Sequence, residues 1–532
     1  MRNVRKPTFN RRSIAASLLG VVLSAGAAPV LADTETLLDK LREKGVLSEE
    51  EYQEMRTGVR AERRAQALKS AQGAEKSEKA LTSWGKVKGN GLGLESADGQ
   101  NAINLTGRVH FDIRDYSHDM FDGSDDRDTA SVANGFEMRR ARIGFNGYVF
   151  KDLGFEVVAN AVGSSANLID TAWVNLGYVK PAQLRFGRFK QPFSLEELTS
   201  SNNIDFMERS YVNQVVPAKK LGAMVHGELT PGLTYGVSLF QEGFNQESAN
   251  DGIQTAARIT GNIAQFAGWN NAVLHLGIAG TKGHYQVRPA VSTQTTSGAS
   301  GTTRATIIGF RSENRGLNNV YRAQINGTTL ATAGQFAGAL DEIGADVDKN
   351  LSGLEIAAAY GPFKLQMEYV NAGFDATHPA AAANTVAGDV KTQYMEAIWN
   401  ITGEKWADAY RTGVFSGVRP LNNFNAGAGA WQLALRLSEY DASDVTVGNT
   451  TARQQNNNKA ETLTLGVNWL LNPNARIMLN YAKTDFKGTC FSGSGNTTST
   501  TACIKALDVT SPATQTAIDS ETVVSLRAQV NF

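Results

Sequence analysis

"ETVVSLRAQVNF", residues 521–532, decides how the chain is read. Counting back from Phe532, the residues Val530, Ala528, Leu526 and Val524 share one parity. Asn531, Gln529, Arg527 and Ser525 share the other. Alternate residues of a strand face opposite sides, so this segment carries one apolar and one polar face. The edge of a soluble sheet reads this way. So does the closing strand of a membrane barrel, with lipid outside and water inside.

The same period runs through the chain from about residue 103. "INLTGRVHFDIRD" (103–115) sets Leu105, Val109, Phe111 and Ile113 mostly against Arg108, His110, Asp112 and Arg114. "RRARIGFNGYVF" (139–150) sets Ile143, Phe145 and Val149 against Arg140, Arg142, Asn146 and Tyr148. "GAWQLALRLSEY" (429–440) sets Trp431, Leu433, Leu435 and Leu437 against Gln432, Arg436 and Ser438. Further segments lie near 153–163, 169–179, 182–190, 219–230, 232–241, 254–264, 270–282, 350–360, 362–371, 392–401, 460–470 and 474–486, and with 521–532 they make sixteen. A stretch at 407–417 alternates poorly and is set aside.

Connection lengths add an independent signal. Short links ("FKD", "KPA", "TPG", "YGP", "LNPN") alternate with long ones, roughly 115–134, 191–218, 241–253, 283–349, 372–391, 441–459 and 487–520. Outer-membrane barrels have short periplasmic turns, long external loops and an even strand number. One long link, 402–427, falls on the periplasmic side against this rule. The expected fold is all-β, a 16-stranded antiparallel transmembrane barrel. A final Phe on the last strand resembles the assembly signature of bacterial outer-membrane proteins, and Tyr148, Tyr178, Trp469 and Tyr481 suit interfacial girdles.

Composition agrees. Only 42% of residues are hydrophobic, mean hydropathy is −0.27, and no stretch after residue 32 offers the roughly 20 apolar residues of a spanning helix. Residues 1–32 read as a signal peptide: "MRNVRKPTFNRR" carries five cations and no anion, "SIAASLLGVVLSAGAA" is apolar, and "VLA" precedes Asp33. Its removal takes five of the 52 cations and leaves the 52 anions in excess. That charge disfavours nucleic acid as a partner. Residues 33–80 are charge-dense and rich in helix formers, with Leu37, Leu38 and Leu41 on one stripe and Tyr52, Met55 and Val59 on another. They read as a periplasmic helical, coiled-coil-like extension that packs with copies of itself, or else as a frayed linker. Residues 81–102 form a linker. The two cysteines, Cys490 and Cys503, lie in "TCFSGSGNTTSTTACIK" and are expected to form a disulfide in an oxidising compartment.

Several segments resemble the phosphate-selective porins of the O and P type: "FEMRRARIGFNGYVFKDLGFEV" (136–157), "QLRFGRFKQPFSLEELTSSNNIDFMERS" (183–210), "ITGEKWADAYRTGVF" (401–415) and "LTLGVNWLLNPNARIMLNYAKTDF" (463–486). The resemblance implies a sixteen-stranded, homotrimeric outer-membrane porin spanning 103–532, whose third loop, about 191–218, folds into the lumen as a constriction. It also implies an anion pathway of arginines leading to lysines. Position by position, Arg139 and Arg140 match the family's arginine pair, Arg142 adds a cation and Arg288 remains. Asn202 or Asn203 stands where the family has its constriction lysine. In "NAGFDATHPAAAANTVAGDVK" Lys391 is the single cation where the family has a lysine-rich turn.

Parity places Arg108, Arg114, Arg140, Arg142, Arg258 and Arg436 inward, together with Asp112, Glu156, Glu228 and Glu368. Parity and the resemblance together give the candidate anion pathway Arg108, Arg114, Arg139, Arg140, Arg142, Arg288 and Arg436, of which Arg139 and Arg288 are implied by the resemblance alone. On and beside the constriction loop, Glu196, Glu197, Asp205 and Glu208 are expected to oppose Lys190, Arg209, Lys219 and Lys220, with Asn202 and Asn203 between. Arg185 and Arg188 have opposite parity, so only one of them is expected to face water. Two permeation readings follow: diffusion of small anions such as phosphate or polyphosphate, or weakly selective diffusion of general or carbohydrate-type solutes. The expected partners are the lipid bilayer, small anionic solutes, further copies of the chain and, through residues 33–80, peptidoglycan. No cofactor, metal site or catalytic set is expected. The six histidines show no metal-ligand spacing, "SHD" (117–119) is loop polarity, and "GNGLGLES" (89–96) lacks the lysine and helix of a phosphate loop.

Overall fold

The computed structural model describes residues 92–96, 98–117, 134–162, 168–242, 252–287, 304–326, 345–378, 381–449, 452–492, 495–498, 504–507, 515–518 and 520–532. Ahead of these it describes 39–40, 42–44, 48–50, 52–54, 56–58, 60–61, 64–65 and 68. The chain divides into two units, Met1–Ser83 and Trp84–Phe532, a boundary that falls inside the expected linker. In the first unit the described residues are mostly helical. Tyr52 donates its hydroxyl hydrogen to Asp39 Oδ1 at 2.5 Å and lies 4.6 Å from the Arg42 guanidinium. The signal stretch, Leu37, Leu38 and Leu41 of one helical stripe, Met55 and Val59 of the other, His118, Arg288 and Cys503 lie outside the described residues.

The second unit is a closed ring of sixteen antiparallel strands. They are β1 (Ala102–Tyr116), β2 (Gly135–Val149), β3 (Leu153–Asn160), β4 (Ile169–Leu176), β5 (Gln183–Lys190), β6 (Lys219–Thr230), β7 (Leu233–Gln241) and β8 (Ile253–Asn262). The ring continues through β9 (Ala272–Val287), β10 (Ala345–Tyr360), β11 (Phe363–His378), β12 (Ala381–Asn400), β13 (Ala430–Asp441), β14 (Ala452–Asn472), β15 (Ala475–Ser492) and β16 (Ser520–Asn531). Each strand pairs with its sequence neighbours, and β16 pairs back onto β1, with Val530 opposite Val109 and Arg527 opposite Asp112. Closure leaves no unpaired edge for lipid to meet.

The alternation seen in 521–532 is the inside–outside alternation of the wall. Val524, Leu526 and Val530 are 43%, 38% and 52% exposed, whereas Ser525, Arg527 and Gln529 are 2%, 0% and 2%. Aromatic rings collect near the short-turn end: Trp431 stacks on Trp469 at 5.1 Å and Phe363 on Trp399 at 5.8 Å. Tyr481 departs from that girdle; it pairs with Leu465 and Val524, well inside β15.

Four expected loops are partly strand: 441–459 holds Thr446–Val447 and the start of β14, and 487–520 holds the end of β15 and the pair Ile504–Leu507 with Gln515–Ile518. β11 and β12 run to His378 and from Ala381, so 372–391 is an extended hairpin rather than a long loop. Within 283–349, strands Arg304–Phe310 and Tyr321–Asn326 form a hairpin that adds to β14 through Tyr321–Ile325. The segment 401–429 folds inward, with Trp406 and Phe415 each 2% exposed. The stretch set aside at 407–417 holds a two-residue-per-side hairpin, Tyr410–Arg411 with Val414–Phe415, and is not part of the wall.

Candidate permeation site: an off-centre, cation-lined cavity

The constriction loop 191–218 leaves β5 and lies against the far wall. Its first turn is a short helix, α1 (Leu195–Leu198), opened by Ser194, whose side chain accepts from the Glu197 N–H at 3.1 Å. A helix start leaves backbone N–H groups without partners. Here Glu368 on β11 accepts those of Leu195 and Glu196 at 3.0 and 2.7 Å.

Acids on the loop bind arginines and lysines of the wall. Glu208 accepts from Arg114 at 2.6 Å and from Arg139 at 2.8 Å. Glu196 accepts from Arg436 at 3.2 Å and from the Ser210 hydroxyl at 2.6 Å. Asp205 pairs with Lys364 at 2.5 Å. Arg527 clasps Asp112 at 2.6 and 2.7 Å and donates to the Met207 carbonyl at 2.6 Å. Burial alone would raise the carboxyl of Glu208. Arg139 and Arg114 outweigh it and hold that group well below the ordinary glutamate range.

Two further segments complete this packing. From the hairpin loop, Glu313 accepts from Arg436 at 2.5 Å and the Asn314 carbonyl accepts from Arg114 at 2.8 Å. Phe310 stacks on Tyr440 at 4.1 Å, with Tyr211 5.0 Å from the same ring. From the short-turn end, Trp406 sits 4.7 Å from Lys364 Nζ, the Gly413 carbonyl accepts from Arg258 at 2.9 Å, and the Tyr410 hydroxyl meets His275 at 2.7 Å. The lumen is therefore filled along β9–β16 and the upper part of β1.

What remains open lies against β1–β8. It is a cavity of about 1170 Å³ lined by eleven Lys and Arg residues and four acids, Glu156, Asp170, Glu197 and Glu228. The tip of the 410–415 hairpin, at Thr412 and Val414, lines it as well.

Local backbone irregularities aim several of the cations. His110 pairs with Arg140 and Phe111 with Met138, so Arg139 is an extra residue in the ladder. A bulge of this kind interrupts strict alternation. It lets Arg139 reach Glu208 while Arg140 lines the cavity. A second bulge, between Thr171 and Ile169, presents Asp170 to Arg142 at 3.0 Å and to Lys219. Arg185 and Arg188 both line the cavity, against expectation. Between them Gly187 has φ +119°, and a Cβ there would lie 2.2 Å from the Ala172 carbonyl oxygen, so the backbone between the two arginines departs from regular strand.

The expected site residues thus fall into groups. Arg114, Arg139 and Arg436 are bound to loop acids. Arg142 and Lys219 share Asp170, and Lys220 is paired with Glu242. Lys190 and Arg209 flank Glu197 at 3.6 and 3.5 Å, the one loop acid that opposes the basic residues named for it. Asn202 Oδ1 meets His110 at 3.3 Å, and Asn203 packs beside Gly417. Cys490 is disulfide-bonded. Arg108 lines the cavity and donates to Ser201 Oγ at 2.7 Å. Sequence reasoning missed Arg185, Arg527 and Lys364 as organising cations. Arg527 was legible from its parity in β16, whereas Lys364 and Arg185 carry no local signal of their role.

A sixteen-stranded barrel with a loop folded into its lumen and a polar, cation-lined cavity beside that loop has the build of an outer-membrane porin. The family model for "Phosphate-selective porin O and P" matches residues 103–490, and the chain belongs to that family. It is 28% identical over 416 residues to Porin O of Pseudomonas aeruginosa, covering 75% of this chain and 87% of that protein. Among solved structures, OmpT of Vibrio cholerae aligns with TM-score 0.44 at 11% identity, over 81% of this chain and 98% of that one. An anion-selective porin from Comamonas acidovorans aligns with TM-score 0.41 at 14% identity, over 81% and 100%. The protein is a channel-forming barrel of the bacterial outer membrane.

Proposed function

We propose that the protein is an anion-preferring diffusion porin for small phosphate-type solutes. One observation carries this reading: Arg108, Arg140 and Arg185 line the cavity, and among the described residues none of them has a carboxylate within ion-pair distance. Arg108 also stands directly opposite Arg142 across the β1–β2 ladder, and of the two only Arg142 has a carboxylate, that of Asp170, within ion-pair distance among the described residues. Fixed cations in a narrow passage lower the energy of anions and raise that of cations. Porin O's family description names phosphate, which fits this charge.

The test is the reversal potential across a planar bilayer under a KCl gradient, followed by titration of inorganic phosphate. A potential of chloride-selective sign and current block by phosphate are expected. Equal permeation of potassium and chloride, with no block, would leave the weakly selective reading in its place.

The proposal includes a trimer. β3, β4 and β5 have eight residues each, short of the ~9–11 that span the hydrocarbon core. Their outward Val157, Val174 and Phe186 are 46%, 43% and 47% exposed. A neighbouring copy would cover this short wall. Disulfide trapping between copies of Val174→Cys should yield a dimer band on a non-reducing gel. The proposal further takes residues 1–32 as a cleaved signal, residues 33–80 as a self-associating helical extension toward the cell wall, and Cys503 as the partner of Cys490.

A further inference from the structure

The cavity has two chemical zones, separated along one strand. At the bulge of β4, Asp170 gathers Arg142 and Lys219, with Arg108 facing Arg142. Three residues on, Trp173 lines the same cavity. At ~3.3 Å per residue the two zones lie roughly 10 Å apart. The second zone is aromatic. The Arg185 guanidinium lies 4.3 Å from the Trp173 ring and 6.0 Å from that of Phe189. It is steadied by Asn175 Oδ1 at 3.3 Å, which His226 also contacts at 2.8 Å. Beside the indole, Gly154 leaves room: a Cβ there would lie 3.7 Å from Trp173 Cζ3.

Inorganic phosphate uses only the first zone. A phosphate ester that carries a planar ring uses both. With its phosphate on Arg108, which among the described residues has no carboxylate within ion-pair distance, a solute of mononucleotide length would bring its ring to Trp173. There the ring gains stacking on an outer face of the pair that the indole and the flat guanidinium of Arg185 form at 4.3 Å. The cavity volume, about 1170 Å³, accommodates a solute of that size with water around it.

We infer that Trp173 and Arg185 form a ring-stacking subsite, and that the pore favours phosphate esters of mononucleotide size that carry a planar ring over phosphate esters of equal charge that carry none. The inference rests on the anion-preferring reading and adds a substrate class to it.

Single-channel block separates the two. Adenosine 5′-monophosphate and ribose 5-phosphate carry the same phosphate, and only the first carries a planar base. The wild-type pore should be blocked by the nucleotide at about tenfold lower concentration. In Trp173→Ala the ratio of the two blocking concentrations should fall to about one, and Trp173→Phe should restore part of it. Gly154→Val, which fills the space beside the indole and alters no charge, should also reduce the ratio. It serves as the readout if Trp173→Ala does not assemble. A wild-type ratio near one, or a ratio that survives both substitutions, overturns the subsite. Failure of the underlying reading looks different: no anion-selective potential and no block by inorganic phosphate.

Discussion

Phe532 lies over Gly107 at the seam of the barrel. The Gly107 N–H donates to the Phe532 carbonyl at 2.9 Å, and the Phe532 N–H donates to the Gly107 carbonyl at 3.1 Å. A Cβ on Gly107 would lie 2.3 Å from Cζ of the ring. The missing side chain at 107 is the seat of the aromatic ring at 532, and together they fasten the last strand to the first.

Gly107→Val should therefore push the ring off its seat and cost about 1–3 kcal/mol, as overpacking does. The expected outcome is a smaller fraction of unboiled protein migrating as folded barrel on a denaturing gel. Phe532→Ala should lower that fraction too. An undiminished folded band in both variants would show that the seam closes without this contact.

Cations of the lumen should separate into two kinds on mutation. Arg108→Ala and Arg140→Ala remove charge from the cavity and should lower the anion preference, read as a smaller reversal potential, with the folded barrel intact. Arg436→Ala leaves Glu196 and Glu313 without their cation, a loss of about 3–5 kcal/mol for a broken buried pair. It should loosen the constriction loop, seen as noisy, variable conductance. If Arg108→Ala leaves the potential unchanged, that residue is outside the pathway.

The inward-folded segment 401–429 should limit conductance from the short-turn end. Trp406→Ala removes the ring beside Lys364, at a cost of about 3–5 kcal/mol, and frees the hairpin tip from the cavity. Single-channel conductance should rise. An unaltered conductance would mean that the passage bypasses Thr412 and Val414.

Glu208 gives a pH dependence of definite sign. Its folded-state pKa is held well below the ordinary value by Arg139 and Arg114, against the effect of burial. Its contribution is therefore complete above the unfolded value of ~4.3 and is lost as pH falls through the lower folded value. Conductance should be steady from pH 7 to 5, with loop excursions appearing only under more acid conditions. Glu208→Gln should show those excursions already at pH 7. The opposite order would remove Glu208 as an anchor.

All sixteen wall strands were legible in the sequence, because lipid on one side and polar side chains on the other impose a period of two. The period fails where that asymmetry fails. Val386 and Val390 of β12 and the hairpin around Ile307 and Val320 pack other protein on their buried faces, so small or apolar residues replace the polar partners and the stretch reads as loop. The expectation that parity alone fixes inward arginines failed at Arg139 and at Arg188 for a related reason. One extra residue in a ladder, or a glycine at φ +119°, resets the count without changing composition. Which cations stay unpaired was not legible at all. It depends on contacts between residues far apart in the chain, such as Arg114 with Glu208 and Arg436 with Glu313.

The eccentric filling of the lumen separates two kinds of evolutionary freedom. Substitutions along β9–β16 disturb interlocked charges that hold three segments in place, and a single change there is felt by several neighbours. Along β3–β7 the wall faces water, so a relative can exchange one cation or ring for another and acquire a new diet while its architecture stays put. Descendants of this lineage should therefore diverge fastest in the half-circle that solutes touch, and an engineer seeking new cargo should begin there.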